Sequence, residues 1–172
     1  MKLTKKLRSR RGLTLTETLV TLLIVSLVSG AVVTGVSSAS KVYRQSVALS
    51  ESHLLTTTLV QAISDELRFA KNIAADGSTF TSATFGNGAS FSVGDEASGA
   101  PGQVLLKGSQ LLGPGAYSTG TDQAKGVKAL TVTWDEASWS FQVELTTQLL
   151  GTQEELQTTA FSVSPLNHPT TP

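Results

Sequence analysis

Glu17 is the only ionisable side chain between Leu13 and Ser40. A carboxylate in so apolar a stretch needs a cation or a set of donors, because a charge at the bilayer centre costs about 2.5–3.5 kcal/mol on insertion scales. On a helix, Leu13 stands one turn before Glu17, with Thr14 beside it and Thr21 one turn after. These residues share its face, and the threonine hydroxyls are placed to solvate the acid. The positive end of the helix dipole also favours an anion near the N-terminus. A cut between Gly12 and Leu13 would create an α-ammonium at the head of the helix and supply a counter-charge. The chemistry on offer is ion pairing.

The remaining residues offer less. There is no cysteine, so disulfides, thiolate metal sites and cysteine nucleophiles are excluded. His53 falls on a helical pattern and His168 near the last residue, with no ligand cluster around either, and His53 reads as a surface or interface residue. Gly94-Asp95-Glu96, Asp122 and Asp135-Glu136 could offer oxygens to calcium, but they lack calcium-loop spacing and read as solvated turns. A serine elbow, a phosphate-binding glycine loop and a dinucleotide fingerprint are all absent. No catalytic, cofactor-binding or metal-binding residue is assigned, and the chain is not expected to be an enzyme.

The element that must position Glu17 is a long helix. Residues 1–12 hold six basic side chains and no acid. Thr18–Ser40 then runs for 23 residues without charge, and about 20 helical residues cross a hydrocarbon core of about 30 Å. The basic flank places the N-terminus in the cytoplasm and the body outside. Ser26/Gly30 and Ala31/Gly35 are small-residue pairs of the kind that let helices approach closely. The helical pattern continues through residues 41–75. Val42, Leu49, Thr56, Val60, Ile63 and Leu67 form one apolar stripe, with Leu55, Leu59, Ala62, Phe69 and Ile73 beside it, and Asp76-Gly77 as the stop. Such an outer half needs a partner for its apolar face.

That partner reads as a sheet. Alternating stretches at 78–85, 89–93, 103–108, 127–134, 138–147 and 157–166 have strand character, with "WDEASW" as a hairpin between Trp134 and Trp139. Residues 86–126 hold ten of the fifteen glycines, including "GNG" and "GPG", and form the loop-rich part. The expected architecture is α+β: a long N-terminal α-helix whose outer half packs on a small antiparallel sheet. Its divisions are a basic leader at 1–12, a membrane half at 13–40, a globular domain at 41–164 (helix 41–75, sheet 78–164) and a tail at 165–172. Past residue 12 the chain has seven basic and thirteen acidic residues, a balance of −6 that disfavours direct nucleic-acid binding.

The leader and helix start carry a resemblance. Gly12, Leu13, Thr14, Leu15, Glu17 and Leu19 in "GLTLTETLV" resemble the type IV prepilin signal of pilins and of type II secretion and competence pseudopilins. The resemblance implies that a membrane prepilin peptidase cuts after Gly12 and methylates the new N-terminus at Leu13. It also implies that Glu17 neutralises the Leu13 ammonium of a neighbouring subunit as an assembly platform and ATPase lift subunits into a filament. Pairing with the chain's own Leu13 ammonium remains equally compatible with the sequence. The first mature residue is leucine where phenylalanine or methionine is usual, Thr16, Thr18 and Thr21 make the early helix polar, and no proline kinks it. These departures point to a minor subunit. The rival reading takes "SRRGLTL" as a twin-arginine export signal with "VSSAS" offered to a signal peptidase, or the helix as an uncleaved anchor. The product would then be a secreted or anchored β-rich binding module that never polymerises.

Overall fold

The computed structural model describes residues 14–117 and 125–166. Its architecture is α+β: one long N-terminal helix followed by small antiparallel sheets. Helix α1 spans Leu15–Arg68, 54 residues. The strands are β1 (Phe80–Ser82), β2 (Gly86–Ala89), β3 (Phe91–Val93), β4 (Val104–Leu106), β5 (Ser109–Gln110), β6 (Lys125–Asp135), β7 (Ser140–Leu149) and β8 (Glu155–Val163). They form three sheets of order β1-β2, β3-β4-β5 and β6-β7-β8, every pairing antiparallel. The chain divides into two compact units, 1–44 and 45–172.

In the second unit the core forms where one stripe of α1 meets one face of β6-β7-β8. The buried stripe is Ala48, Ser52, Leu55, Thr56, Leu59, Ile63 and Leu67, at helical spacings of three and four. Alternation along β7 aims Phe141, Val143, Leu145 and Thr147 inward, and the register sets Val132, Trp134 and Phe161 on the same face. Phe80, Val104 and Leu106 close the cluster from the smaller sheets, and Tyr117 from the loop that follows them. Each fully buried leucine or phenylalanine contributes about 1.5–3 kcal/mol relative to exposure. Leu55, Thr56, Leu59, Ile63 and Leu67 of the expected stripes are buried, whereas Val42, Leu49 and Phe69 are exposed.

The helix stops at Arg68, not near residue 75. Tertiary hydrogen bonds take over the backbone there. Leu166 donates its amide to the Arg68 carbonyl at 2.7 Å, and Lys71 exchanges both backbone bonds with Thr81 at 3.0 and 2.7 Å. Asn72 adopts φ 48°, which no continuing helix allows. Ala70 and Ile73, helical in spacing, still reach the core from this irregular segment. Asp76-Gly77 forms a turn in place of a helix end.

Two short strands escape the sequence pattern. β2 is "GNGA", and β5 is two residues long. The glycine-rich region is pinned to the large sheet through a close backbone approach. Val127 donates its amide to the Gly102 carbonyl at 2.7 Å, and a Cβ on Gly126 would lie 2.9 Å from that oxygen. The Trp134 and Trp139 rings meet edge-on at 5.8 Å across the β6–β7 turn, and Trp134 meets Phe141 at 4.9 Å.

Polar groups within the core are placed unevenly. Tyr117 accepts the Val104 amide on its hydroxyl at 3.0 Å, and burial raises its pKa. Ser52 and Thr147 share a hydroxyl–hydroxyl bond at 2.8 Å between α1 and β7. The Thr56 hydroxyl is buried beside them with no partner. Lys125 opens β6 with its side chain 3% exposed, pairs with the half-exposed Glu51 of α1, and has its pKa pushed down by burial.

Opposite stability changes are expected at the two hydroxyls. Tyr117→Phe orphans a buried amide and should destabilise by about 1–3 kcal/mol, whereas Thr56→Val removes an orphan and should stabilise by about 1 kcal/mol. Urea unfolding of the full chain, followed by tryptophan fluorescence, reads both signs. At the ion pair, Glu51→Gln strands a buried ammonium and should cost roughly 1–3 kcal/mol, below the fully buried range because Glu51 is half in water. Lys125→Met, which fills the same space without charge, should cost less than Glu51→Gln in the same assay.

Candidate functional site

The head of α1 is built by its own backbone. Thr14 precedes the first helical residue and acts as the cap. Its carbonyl accepts the amides of Glu17 at 3.0 Å and Thr18 at 3.1 Å, and its hydroxyl accepts the Glu17 amide at 3.3 Å. Thr14 and Glu17 therefore have the spacing of a Ser/Thr-x-x-Glu capping box, of which the structure shows the half made by the Thr14 hydroxyl. The spacing "TLTE" is the ordinary sequence signature of such a cap, overshadowed by the apolar run and the acid that follow.

The threonines do not solvate Glu17 in the expected way. Thr21 Oγ1 donates to the Glu17 backbone carbonyl at 2.7 Å, and Thr18 Oγ1 donates to the Leu15 carbonyl at 2.8 Å. Thr14 Oγ1 lies 3.1 Å from Thr16 Oγ1. A hydroxyl on a helix finds the carbonyl one turn back before it reaches a longer side chain, so the hydroxyls serve the backbone. Among the described residues no side chain pairs with the Glu17 carboxylate, which projects from an exposed position. Gly12 and Leu13, the proposed cut and methylation positions, lie outside the described residues.

From Thr14 through Ser46 every residue of the segment is exposed. The most apolar part of α1 is long enough to cross a membrane, and none of it is buried. Leu19, Leu22, Leu23, Leu27 and Val33 are each more than half exposed, a surface unsuited to water. Ser26 and Thr34 turn their hydroxyls onto helix carbonyls at 2.8 and 2.9 Å. Gly30 and Gly35 have open space where a Cβ would stand, so both are available to a neighbouring helix. Successive residues turn about 100° on a helix, which puts the Ser26/Gly30 and Ala31/Gly35 pairs about 140° apart on different faces.

The acids weighed for calcium are engaged locally. Asp95 Oδ1 accepts the Ser98 amide at 2.8 Å, and Asp135 accepts the Ala137 amide at 3.0 Å and the Ser138 hydroxyl at 2.6 Å. Those hydrogen bonds hold both carboxyls below their usual pKa. Asp122 lies outside the described residues. His53 sits on the exposed side of α1.

Residues 7–33 match the family described as the prokaryotic N-terminal methylation motif. No curated protein and no solved structure matches the chain. The matched stretch takes in Gly12, Leu13 and Glu17 and ends within the exposed apolar half of α1. The chain carries the type IV prepilin-like signal, the mark of a pilin-like prepilin peptidase substrate, at the head of the one helix among the described residues that is long and apolar enough to cross a membrane.

Proposed function

We propose that this chain is a minor pilin or pseudopilin subunit of a type IV pilus, a type II secretion system or a competence pseudopilus. It enters the cytoplasmic membrane with its N-terminus inside and its globular domain outside. Prepilin peptidase removes residues 1–12 after Gly12 and methylates Leu13. An assembly platform and its ATPase then move the subunit into a filament, where the N-terminal helices of neighbouring subunits pack together. The chain is a substrate of enzymes and not itself one, and it does not bind nucleic acid directly.

The observation that carries this reading is the exposed apolar half of α1 headed by one acid inside a matched methylation motif. A helix with no buried face needs lipid or other helices around it on all sides. The two small-residue pairs, on different faces, suit contact with more than one neighbour. Glu17 would meet the Leu13 ammonium of an adjacent subunit in the filament and its own in the membrane.

One observation favours the rival, an anchored β-rich module that never polymerises. The Thr14 cap orders the head of α1 through the backbone amide of Glu17 and needs no partner subunit. Charge separates the two readings, because glutamine fills the same capping position without it.

The mass of the mature N-terminus in the native host is the first test. A chain beginning at a methylated Leu13 is expected, and a start near Ala39 or an intact Met1 would support the rival. The second test reads Glu17→Gln and Glu17→Lys for cleavage and for incorporation into filaments. Both variants should be cleaved and both should fail to incorporate, by tenfold or more if the lost pair is worth about 1.4 kcal/mol. Normal incorporation of Glu17→Gln would reduce the acid to a helix cap.

A further inference from the structure

Two glycines follow an acid or amide in the globular domain, at Asp76-Gly77 and Asn87-Gly88. Glycine matters there because no Cβ hinders its nitrogen from reaching the preceding side-chain carbonyl. That approach is the first step of amide loss from asparagine, a known weakness of this residue.

The structure protects one pair and exposes the other. The Gly77 amide is donated to the Ala74 carbonyl at 2.8 Å. Asp76 Oδ1 accepts the Ser78 amide at 3.0 Å and the Ser78 hydroxyl at 2.7 Å, bonds that lower its pKa and keep it an anion. An anionic carboxylate is a poor electrophile. Gly77 is also packed so closely that a Cβ would lie 2.9 Å from the Thr133 carbonyl carbon.

Asn87 and Gly88 are both exposed, and nothing stands within 4 Å of a Cβ placed on Gly88, whose φ is +69°. They lie in β2 where the pairing with β1 slips, between Phe80↔Ala89 and Ser82↔Gly86. Thr81 Oγ1 donates to Asn87 Oδ1 at 3.1 Å, which draws electron density from the amide carbon. The remaining described asparagine, Asn72, is followed by the β-branched Ile73, which crowds the same attack.

We propose that Asn87 is a site of spontaneous deamidation. The Gly88 nitrogen gives its proton to solvent base and bonds to the Asn87 amide carbon. The bond from that carbon to Nδ2 breaks, and Nδ2 leaves as ammonia after taking a proton from water. Water then opens the five-membered imide at either carbonyl, giving aspartate or isoaspartate at position 87. The balance is one water consumed and one ammonia released, with no change of oxidation state.

The fold accommodates both products. A carboxylate keeps Thr81 as a donor and gains a cation nearby, since Lys107 Nζ already lies 3.0 Å from the Asn87 carbonyl and 3.1 Å from the Phe85 carbonyl. Isoaspartate lengthens the backbone by one carbon inside a strand segment that already carries an extra residue against its partner. The change adds one negative charge to a domain already rich in acid.

The test uses the full chain in detergent micelles at mildly alkaline pH and physiological temperature, with the urea-unfolded chain as the clock. Peptide mapping is expected to show the amide-to-acid mass gain at Asn87, as a mixture of aspartate and isoaspartate, faster at higher pH. Asn87→Gln should abolish the gain in that peptide. Conversion in the folded chain more than an order of magnitude slower than in the unfolded chain would overturn the proposal, as would equal or faster isoaspartate formation at Asp76.

Discussion

A helix satisfies its own backbone, and every other feature of this chain depends on that property. Lipid offers no donors or acceptors, so a segment exposed there must close all its hydrogen bonds internally. The outer half of α1 meets a different demand, because one face is covered by protein and the other faces water. One uninterrupted ladder from Leu15 to Arg68 serves both, and no proline falls within it. The hydroxyls obey the same constraint. Thr18, Thr21, Ser26, Thr34 and Ser37 all donate to carbonyls three or four residues back. A threonine-rich early helix is therefore compatible with an apolar surrounding: the side chains bring their polar atoms to the backbone and turn their methyls outward.

The contact between α1 and the large sheet is graded along its length. Near its beginning it is polar, with Glu51 on Lys125, Ser52 on Thr147, and Thr56 buried without a partner. Farther along it is apolar, with Leu59, Ile63 and Leu67 in one buried cluster with Phe141, Val143 and Leu145. Polar contacts of this kind add little net free energy but are costly when half-made, whereas apolar burial accumulates with area. The far part therefore holds the helix to the sheet, and the near part sets its register. At the far end the C-terminal segment returns to α1, with the Leu166 amide on the Arg68 carbonyl. The last described residues thus close the helix that the first described residues open.

Much of this was legible in the sequence because it rests on local spacing. The charge-free run, the outer apolar stripe and the long strands β6, β7 and β8 all follow from periods of 3.6 and 2. The less legible parts depend on contacts between distant residues. The end of α1 at Arg68 is decided by Thr81 and Leu166, so a pattern that reads as helix to residue 75 is overridden. β2 carries no side-chain alternation that could announce a strand, being glycine on either side of Asn87. The Ser52–Thr147 and Glu51–Lys125 contacts join residues far apart in the chain and leave no local trace. The cap at Thr14 is different, since its signature was present and was eclipsed by the acid three residues later.

The cap at Thr14 engages the backbone of that acid and does not account for its side chain. In a capping box the side chain at the third helical position accepts a backbone amide, which glutamine does as well as glutamate. Glutamine would also carry no charge toward the hydrocarbon, where a charge is costly. The Ser/Thr-x-x-Glu spacing suits a polar acceptor at position 17; it leaves unexplained why the acceptor is ionisable. Among the described residues no cation answers Glu17, which lies inside the methylation motif matched at residues 7–33. Leu13 directly precedes the Thr14 cap, so an ammonium freed there would adjoin the positive end of the helix dipole. Two positive ends would then crowd together, and an anion one turn along relieves both. The cap and the proposed charge pair are thus compatible: the first engages the backbone of residue 17, and the second would engage its carboxylate.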